Sequence, residues 1–212
     1  MSISLTNLSL QYGKQKVLNN FSLELPSQGF ICLQGPSGCG KSTLLSILAG
    51  LSKADAGTVS GIFPRQISMM FQEYRLFPWL TALQNVAIVR RGGEIQSHFS
   101  PEQWLEKVGL KNDMRKYPAE LSGGMCRRVA LARSLYYGGD ILLLDEPFQG
   151  LDLETKKEMY CLLKEYNAFS LTVMITHDIS EAYALADEIL YFSGPPLTLE
   201  KCQSHPPKNS NE

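Results

Sequence analysis

The first kind of pattern along the chain is a short apolar run or an alternation of apolar and polar residues, and both predict β-strands. The alternation is clear in the first 25 residues, where Gly13-Lys14 separates two such segments as a hairpin turn would. The compact runs are typical of strands that are buried on both faces of a parallel sheet. The predicted strands are 2–12, 17–25, 30–34, 67–71, 141–144, 171–175 and 188–192.

Apolar residues at helical spacing form the second kind of pattern and predict helices. Ser100 precedes Pro101 as an N-cap precedes a first turn, and Gly50 is a natural C-cap. The predicted helices are 41–50, 79–89, 101–108, 122–137, 153–166 and 180–186. Residues 204–212 are rich in Pro, Asn, Ser and Lys, and we expect a flexible tail there.

The order of these elements predicts an α/β fold. The strand, loop and helix units predict a mainly parallel sheet, and the hairpin predicts an antiparallel β subdomain at the N-terminus. The consecutive helices in the middle of the chain predict an inserted α-helical subdomain. We expect a single domain over residues 1–203, with a core formed by 1–77 and 138–203 and the helical subdomain at about 78–137.

Composition narrows the class of partner. The chain has 20 basic and 21 acidic residues, whereas a protein that binds nucleic acid usually carries a basic field, so we expect no nucleic-acid partner. The five cysteines include no CxxC pair, which favours free thiols in a reducing cytosol. The first residues lack the pattern of a secretion signal, and no apolar run approaches the ~18 residues that span a bilayer. Any membrane role is therefore expected to need a partner.

A phosphate-binding pattern, G-x-x-x-x-G-K-[ST], lies between a predicted strand and a predicted helix. Its glycines allow backbone N–H groups to turn around phosphates, and the helix N-terminus adds partial positive charge. Lys41 is expected to reach the β- and γ-phosphates, and the Ser42 hydroxyl to bind Mg²⁺. The alternative is a glycine-rich turn with a chance lysine. The candidate nucleotide-binding residues of this loop are Gly35, Pro36, Ser37, Gly38, Cys39, Gly40, Lys41, Ser42 and Thr43.

Two carboxylates follow the apolar run 141–144. Asp145 is expected to hold Mg²⁺, and Glu146 to polarise the water that attacks the γ-phosphorus. The alternative is two solvated acids in a turn. Because the carboxyl ends of parallel strands open on one site, the two motifs together predict Mg²⁺-dependent hydrolysis of a nucleoside triphosphate.

The segment Leu121-Ser122-Gly123-Gly124, with the basic and apolar residues 125–133 after it, resembles the signature motif of the ATP-binding cassette (ABC) family. Further family motifs follow in the family's order, and the resemblance extends from residue 1 to about 200. These motifs are Gln72 after a strand, 148–152 after the acidic pair and 175–178 after the last core strand. The resemblance implies a P-loop NTPase fold with a RecA-like sheet, and ATP with Mg²⁺ as ligands.

The same resemblance implies where the signature motif acts. Ser122, Gly123 and Gly124 start a predicted helix, where a hydroxyl and unpaired N–H groups favour an anion. Family members pair two subunits head-to-tail, so each signature motif covers the partner's ATP. The alternative is an ordinary N-cap and turn.

Three further roles come from the resemblance. His177 is expected to contact the γ-phosphate, and Gln72 to contact Mg²⁺ and the attacking water and to signal to a membrane partner. Tyr12 is expected to stack on the adenine. The alternatives are a structural histidine and an edge-strand tyrosine. Met125 stands where the family usually has glutamine, so the amide hydrogen bonds of that residue are lost.

Residues 69–79 resemble the same stretch in bacterial importer subunits for nitrate, taurine, aliphatic sulfonates and pyrimidine vitamin precursors. This resemblance implies an ATPase at the cytoplasmic face of the membrane, bound to integral membrane permease subunits and served by a solute-binding protein. We expect no added regulatory domain. Phe77 and Trp79 either line a groove that receives a short permease helix or pack in the core. Cys39 is either a site for thiol reagents or a small packing residue.

Two other functions stay open. A soluble cassette ATPase of DNA repair or translation would need no membrane partner, but the chain has neither a long coiled-coil insert nor a second cassette. A regulatory module would bind nucleotide without hydrolysing it. The presence of Lys41, Asp145, Glu146 and His177 argues against the second alternative.

Overall fold

The computed structural model describes residues 2–62, 67–89, 99–166 and 171–204. The strands are β1 (Ile3–Tyr12), β2 (Gln15–Leu25), β3 (Gly29–Gln34), β4 (Ala56–Ser60), β5 (Ile67–Met70), β6 (Ile141–Asp145), β7 (Leu171–Ile175), β8 (Glu188–Ser193) and β9 (Thr198–Ser204). The helices are α1 (Lys41–Leu48), α2 (Ala82–Ala87), α3 (Pro101–Lys107), α4 (Gly123–Tyr137), α5 (Leu153–Tyr166) and α6 (Ile179–Leu185), with short 3₁₀ turns at Lys111–Asp113 and Pro118–Glu120.

The described residues form two sheets. A three-stranded antiparallel sheet has the order β2-β1-β4, and a six-stranded sheet has the order β5-β6-β7-β3-β8-β9. The first five strands of the larger sheet are parallel, and β9 pairs antiparallel with β8 at its edge. The predicted α/β fold, with a mainly parallel sheet and an antiparallel N-terminal part, is therefore confirmed.

Both faces of the larger sheet are covered, which explains its near-continuous apolar strands. Along β6, Leu142 and Leu144 belong to the core cluster that includes residues of α4 and α5, whereas Ile141 and Leu143 belong to the cluster that includes α1 and the small sheet. The same alternation runs along β3 and β7. Since each buried leucine contributes about 1.5–3 kcal/mol relative to exposure, the two-sided burial strongly favours this register.

The helical part lies between β5 and β6 in the chain, and its helices begin where the sequence has capping residues. Thr81 caps α2, and Ser100 caps α3 ahead of Pro101, each with a capping box. Asn85 is fully buried in α2, where its amide bonds the backbone of Phe77 and the carbonyls of the α2 N-terminus. These bonds offset the cost of burying a polar side chain and tie 77–81 to the helix. The subdomain boundaries at residues 78 and 137 remain predictions.

Three differences from the sequence-based expectations have physical causes. The strands β4 and β9 were not predicted, because nearly all of their side chains are exposed and backbone pairing with β1 and β8 holds them. The helix predicted at 79–89 covers only Ala82–Ala87, since Thr81 caps its start. Ser204 closes β9, and the rest of the predicted tail lies outside the described residues.

No helix in the described ranges is both long and apolar enough to cross a membrane.

Candidate active site

The loop between β3 and α1 depends on its glycines. Gly35 has a φ of 152°, and a Cβ at this position would lie 2.4 Å from the carbonyl oxygen of Phe192. Gly40 has a φ of 118° and is the N-cap of α1, where no side chain caps the helix. The N–H groups of the first turn of α1 are therefore open to an anion, as a phosphate loop requires.

Lys41 lies across this loop. Its ammonium group donates hydrogen bonds to the carbonyl oxygens of Gly35 (2.7 Å) and Pro36 (2.8 Å). These bonds hold the ammonium group against the start of the loop. Cys39 is fully buried beneath the loop, 3.5 Å from the lysine Nζ. This burial favours the small packing residue over the site for thiol reagents.

Asp145 ends β6 and lies next to the first turn of α1. Burial raises the pKa of its carboxyl group, and a hydrogen bond with the Ser42 side chain and the charges of Lys41 and Arg127 act in the opposite direction. A serine hydroxyl and a carboxylate are the hard oxygen ligands that Mg²⁺ prefers beside phosphate oxygens. The pair therefore fits the Mg²⁺ site predicted from the sequence.

Glu146 has a strained backbone. Its φ is 51°, a left-handed value that is uncommon for glutamate and costs on the order of 1–3 kcal/mol. Its N–H donates to the carbonyl oxygen of Ile175 (3.0 Å), and its carboxylate lies 2.8 Å from Nδ1 of His177. Burial raises the pKa of this carboxyl group, and the contact with His177 partly offsets that increase. The fold thus joins two predicted site residues that are 31 positions apart.

Partly buried ionic contacts support the loop that carries His177. Lys156 on α5 lies 2.6 Å from Glu181 and 3.3 Å from Asp178, and Glu181 accepts a hydrogen bond from the Thr176 hydroxyl. Glu181 is almost fully buried, so its charge is matched by Lys156 in a region where an unpaired charge is costly. The His177 side chain itself is 67% exposed and faces outward from this support. Sequence patterns did not indicate these contacts.

The signature segment forms the start of α4. The Ser122 hydroxyl accepts a hydrogen bond from the N–H of Met125 (3.2 Å), which makes Ser122 the N-cap. Around this helix start lies a cavity of about 380 Å³. Its lining residues are Tyr74, Ser122, Gly123, Gly124, Met125, Arg128, Gln149, Gly150, Leu151, Asp152 and Thr155. None of the phosphate-loop residues lines this cavity.

The remaining predicted residues lie around these parts. Thr43 is in the first turn of α1, and Gln72 is exposed just after β5. Tyr12 ends β1 and is 55% exposed. The hairpin that carries Tyr12 passes close to the phosphate loop at Val17. A Cβ added to Gly40 would lie 3.0 Å from the Val17 side chain.

These features define a class of protein. A glycine loop joins a parallel strand to a helix, and a lysine crosses this loop. The serine hydroxyl at the start of the helix hydrogen-bonds the carboxylate that ends β6. This is the arrangement of a P-loop nucleotide-binding protein.

Comparison with known sequences gives the family. The sequence model of the ABC transporter family matches residues 18–149, and the chain belongs to this family. The chain is 41% identical over 192 residues to an aliphatic sulfonates import ATP-binding protein of Paracoccus denitrificans, covering 89% of this chain and 78% of the relative. It is 42% identical over 207 residues to a sulfate/thiosulfate import ATP-binding protein of Mesostigma viride, covering 91% of this chain but only 60% of that relative's length.

Solved structures agree with this assignment. A dimeric bacterial ABC transporter cassette superposes with a TM-score of 0.83 at 30% identity, covering 95% of this chain and 98% of that one. A dimeric ATP-binding cassette in a post-hydrolysis state, bound to ADP and Pi, has a TM-score of 0.81 at 30% identity, with the same coverage of both chains. The family resemblance expected from the signature segment is therefore confirmed.

Proposed function

We propose that the chain is the ATP-binding and ATP-hydrolysing subunit of an importer, and that two copies enclose ATP between them. The observation that carries this proposal is the separation of the two halves of the site. The cavity at Ser122–Met125 is lined by no residue of the loop 35–43, which supports a site that the two parts complete from different copies. The dimeric cassettes that resemble the chain support this arrangement.

Within one copy, the phosphate loop binds and orients the triphosphate. The N–H groups at the start of α1 and the ammonium of Lys41 bind the β- and γ-phosphates, while Ser42 and Asp145, with Gln72, hold the metal site. Mg²⁺, when bound there with ATP, neutralises part of the phosphate charge.

Glu146 and His177 orient the reaction. The Glu146 carboxylate accepts a hydrogen bond from the attacking water, and the His177 ring contacts the γ-phosphate, which fixes the line of attack. From the second copy, the Ser122 hydroxyl and the N–H groups at Gly123 and Gly124 bind the same phosphate. Closure of the two copies therefore precedes hydrolysis, and product release reopens them.

The proposed partners are permease subunits in the membrane and a solute-binding protein, and the proposed location is the cytoplasmic face of the membrane. The named relatives import sulfate, thiosulfate or aliphatic sulfonates, so we propose a small sulfur-containing anion as solute. Phe77 and Trp79 form an aromatic pair with centroids 5.5 Å apart, and 69% of Trp79 is exposed. This exposure supports the permease contact over core packing.

Phosphate release measured against protein concentration tests the proposal. With saturating Mg-ATP, the rate per chain is expected to rise with concentration until the chains are paired, because only the pair holds complete sites. Absence of release at any concentration would instead indicate a module that binds nucleotide without hydrolysing it. Co-purification from solubilised membranes then tests the permease partner: recovery of the chain without integral membrane subunits contradicts an importer.

Replacing Tyr12 tests the adenine contact. Tyr12→Ala is expected to raise the KM for ATP about 5- to 150-fold, since stacking on a base contributes about 1–3 kcal/mol, and to leave kcat nearly unchanged. Tyr12→Phe keeps the ring and is the matched control. Steady-state kinetics measure both constants, and a wild-type KM in Tyr12→Ala removes Tyr12 from the site.

Met125→Gln tests the departure from the usual signature. The Met125 side chain lines the signature cavity and is partly buried against the core. A glutamine there regains an amide that can hydrogen-bond the partner's nucleotide or loop, so we expect turnover to rise about twofold, the lower end for one hydrogen bond. Met125→Leu is the control without the amide. Equal steady-state rates for Met125→Gln and the wild type would rule out this contact.

A further inference from the structure

Arg127 is a buried arginine on α4 that contacts two separate segments of the site, residues 72–74 and residues 146–149. Arg127 is only 4% exposed. One Nη donates a hydrogen bond to the backbone carbonyl of Glu146. The other Nη donates to the backbone carbonyl of Gln72 (3.2 Å) and to the side-chain oxygen of Gln149 (3.3 Å), and the guanidinium lies over the Tyr74 ring at 5.0 Å.

The partners of Arg127 are unusual for a buried cation. Among the residues that the structure describes, no carboxylate lies within 4 Å of its nitrogens, and its buried Nε has no hydrogen-bond partner. The charge of Arg127 acts on the Asp145 carboxyl group, but Asp145 makes no ion pair with it within 4 Å, and a buried cation that lacks a close ion pair is costly, so packing alone does not account for this residue. Its direct backbone contacts are instead with the two segments that carry Gln72 and Glu146.

The contact with Glu146 acts at the strained point of the site. Glu146 has a φ of 51°, and such a conformation persists only where its surroundings hold it. Its N–H is bound by Ile175 and its carbonyl by Arg127, so both sides of the residue are tethered. These two bonds set the direction in which its carboxylate leaves the backbone towards His177.

Arg133 provides a comparison on the same helix. Its guanidinium donates to the backbone carbonyls of Tyr74 and Arg75, both at 2.8 Å. It therefore holds the segment after Gln72 against α4, as Arg127 does, but it does not contact Glu146. A comparison of the two arginines therefore distinguishes the effect of holding the segment after Gln72 from the effect of holding Glu146.

We propose that Arg127 is a positioning residue for ATP hydrolysis, which holds Glu146 and the Gln72 segment against the helix that begins at Ser122. This inference rests on the proposed function. Ser122 caps the helix α4 that carries Arg127. A shift of α4 when a second copy binds at Ser122 therefore moves the hydrogen bond between Arg127 and the backbone of Glu146. Arg127 thus acts through Glu146 and does not itself contact the nucleotide.

Three variants test this role by steady-state kinetics with Mg-ATP. Arg127→Met is expected to lower kcat at least about tenfold, while the KM for ATP stays within about twofold, because the phosphate loop is untouched. Arg127→Lys keeps a donor that reaches one of the two carbonyls and is expected to recover part of kcat. Arg133→Met is the matched control, with kcat expected within about threefold of the wild type.

A second measurement separates positioning from damage to the fold. Arg127→Met is expected to form the dimer with a non-hydrolysable ATP analogue at the same analogue concentration as the wild type, as read by sedimentation. Wild-type kcat in Arg127→Met overturns the inference, as does an equal loss in Arg133→Met or a loss of analogue-driven dimer that Arg127→Lys does not restore. The wild-type chain decides the proposed function separately: if it releases phosphate and pairs, a failure in the variants concerns Arg127 alone.

Discussion

Replacing Glu146 with glutamine is expected to lower phosphate release by about 10²–10⁴-fold and to leave ATP-driven pairing of two chains intact. Glutamine has the same shape but no negative charge, so it cannot polarise the attacking water. The phosphate loop, Lys41 and the signature segment are unchanged, so binding and closure persist. Because hydrolysis normally reopens the pair, the dimer is expected to accumulate in the presence of ATP.

Phosphate release and sedimentation with and without ATP measure the two effects. Glu154→Gln is the matched control, because it makes the same change at an exposed acid in the first turn of α5. The control is expected to hydrolyse ATP at the wild-type rate. A Glu146→Gln chain that stays monomeric at saturating ATP is incompatible with two copies enclosing the nucleotide, and one that keeps the wild-type rate removes Glu146 from the chemistry.

Mixing two inactive variants is expected to restore hydrolysis. Lys41→Ala removes the phosphate-binding ammonium, and Gly124→Asp places a negative charge at the signature helix start, so each variant alone is expected to be inactive. A mixed pair contains one site built from the intact phosphate loop of one chain and the intact signature of the other. Random pairing makes half of the dimers mixed, so we expect about a quarter of the wild-type rate.

The control for this experiment is a mixture in which no complete site can form. Lys41→Ala mixed with the double variant Lys41→Ala and Gly124→Asp lacks an intact loop in every pair, and it is expected to stay inactive. A Cβ on Gly124 meets the end of the Leu151 side chain at 3.1 Å, which a flexible leucine can accommodate. If the first mixture is no more active than the second, while pull-down shows that mixed pairs exist, each site lies within a single chain.

Local chemistry explains which parts of the site were predictable. The phosphate loop is a run of consecutive residues whose conformation requires glycine, and Gly35 and Gly40 have positive φ values that glycine adopts readily. Ser100 is a capping residue in the structure, as its side-chain type and position indicated, and Ser122 is the N-cap of α4, which the sequence offered as the alternative to a phosphate-binding role. Such features depend on residues within a few positions of each other, so they can be predicted directly from the sequence.

Long-range contacts explain what the sequence did not show. All five residues of strand β4 are exposed, and the strand exists because its backbone pairs with β1, about fifty positions earlier. Arg127 lies in a run of basic and apolar residues, and this local pattern does not distinguish it from Arg128. Its importance comes from two carbonyl groups that are 19 and 55 positions away along the chain.

By itself, the sequence determined the parallel α/β core, the phosphate loop, the acidic pair and the family. The core follows from the periodicity of apolar residues, and the others follow from motifs of adjacent residues. Only the tertiary structure decided that Glu146 meets His177, that Arg127 bonds the backbone of Glu146, and that no residue of the phosphate loop lines the signature cavity. These are distances between segments remote in the chain. They depend on how sheet and helices pack around two cores, which no local pattern specifies.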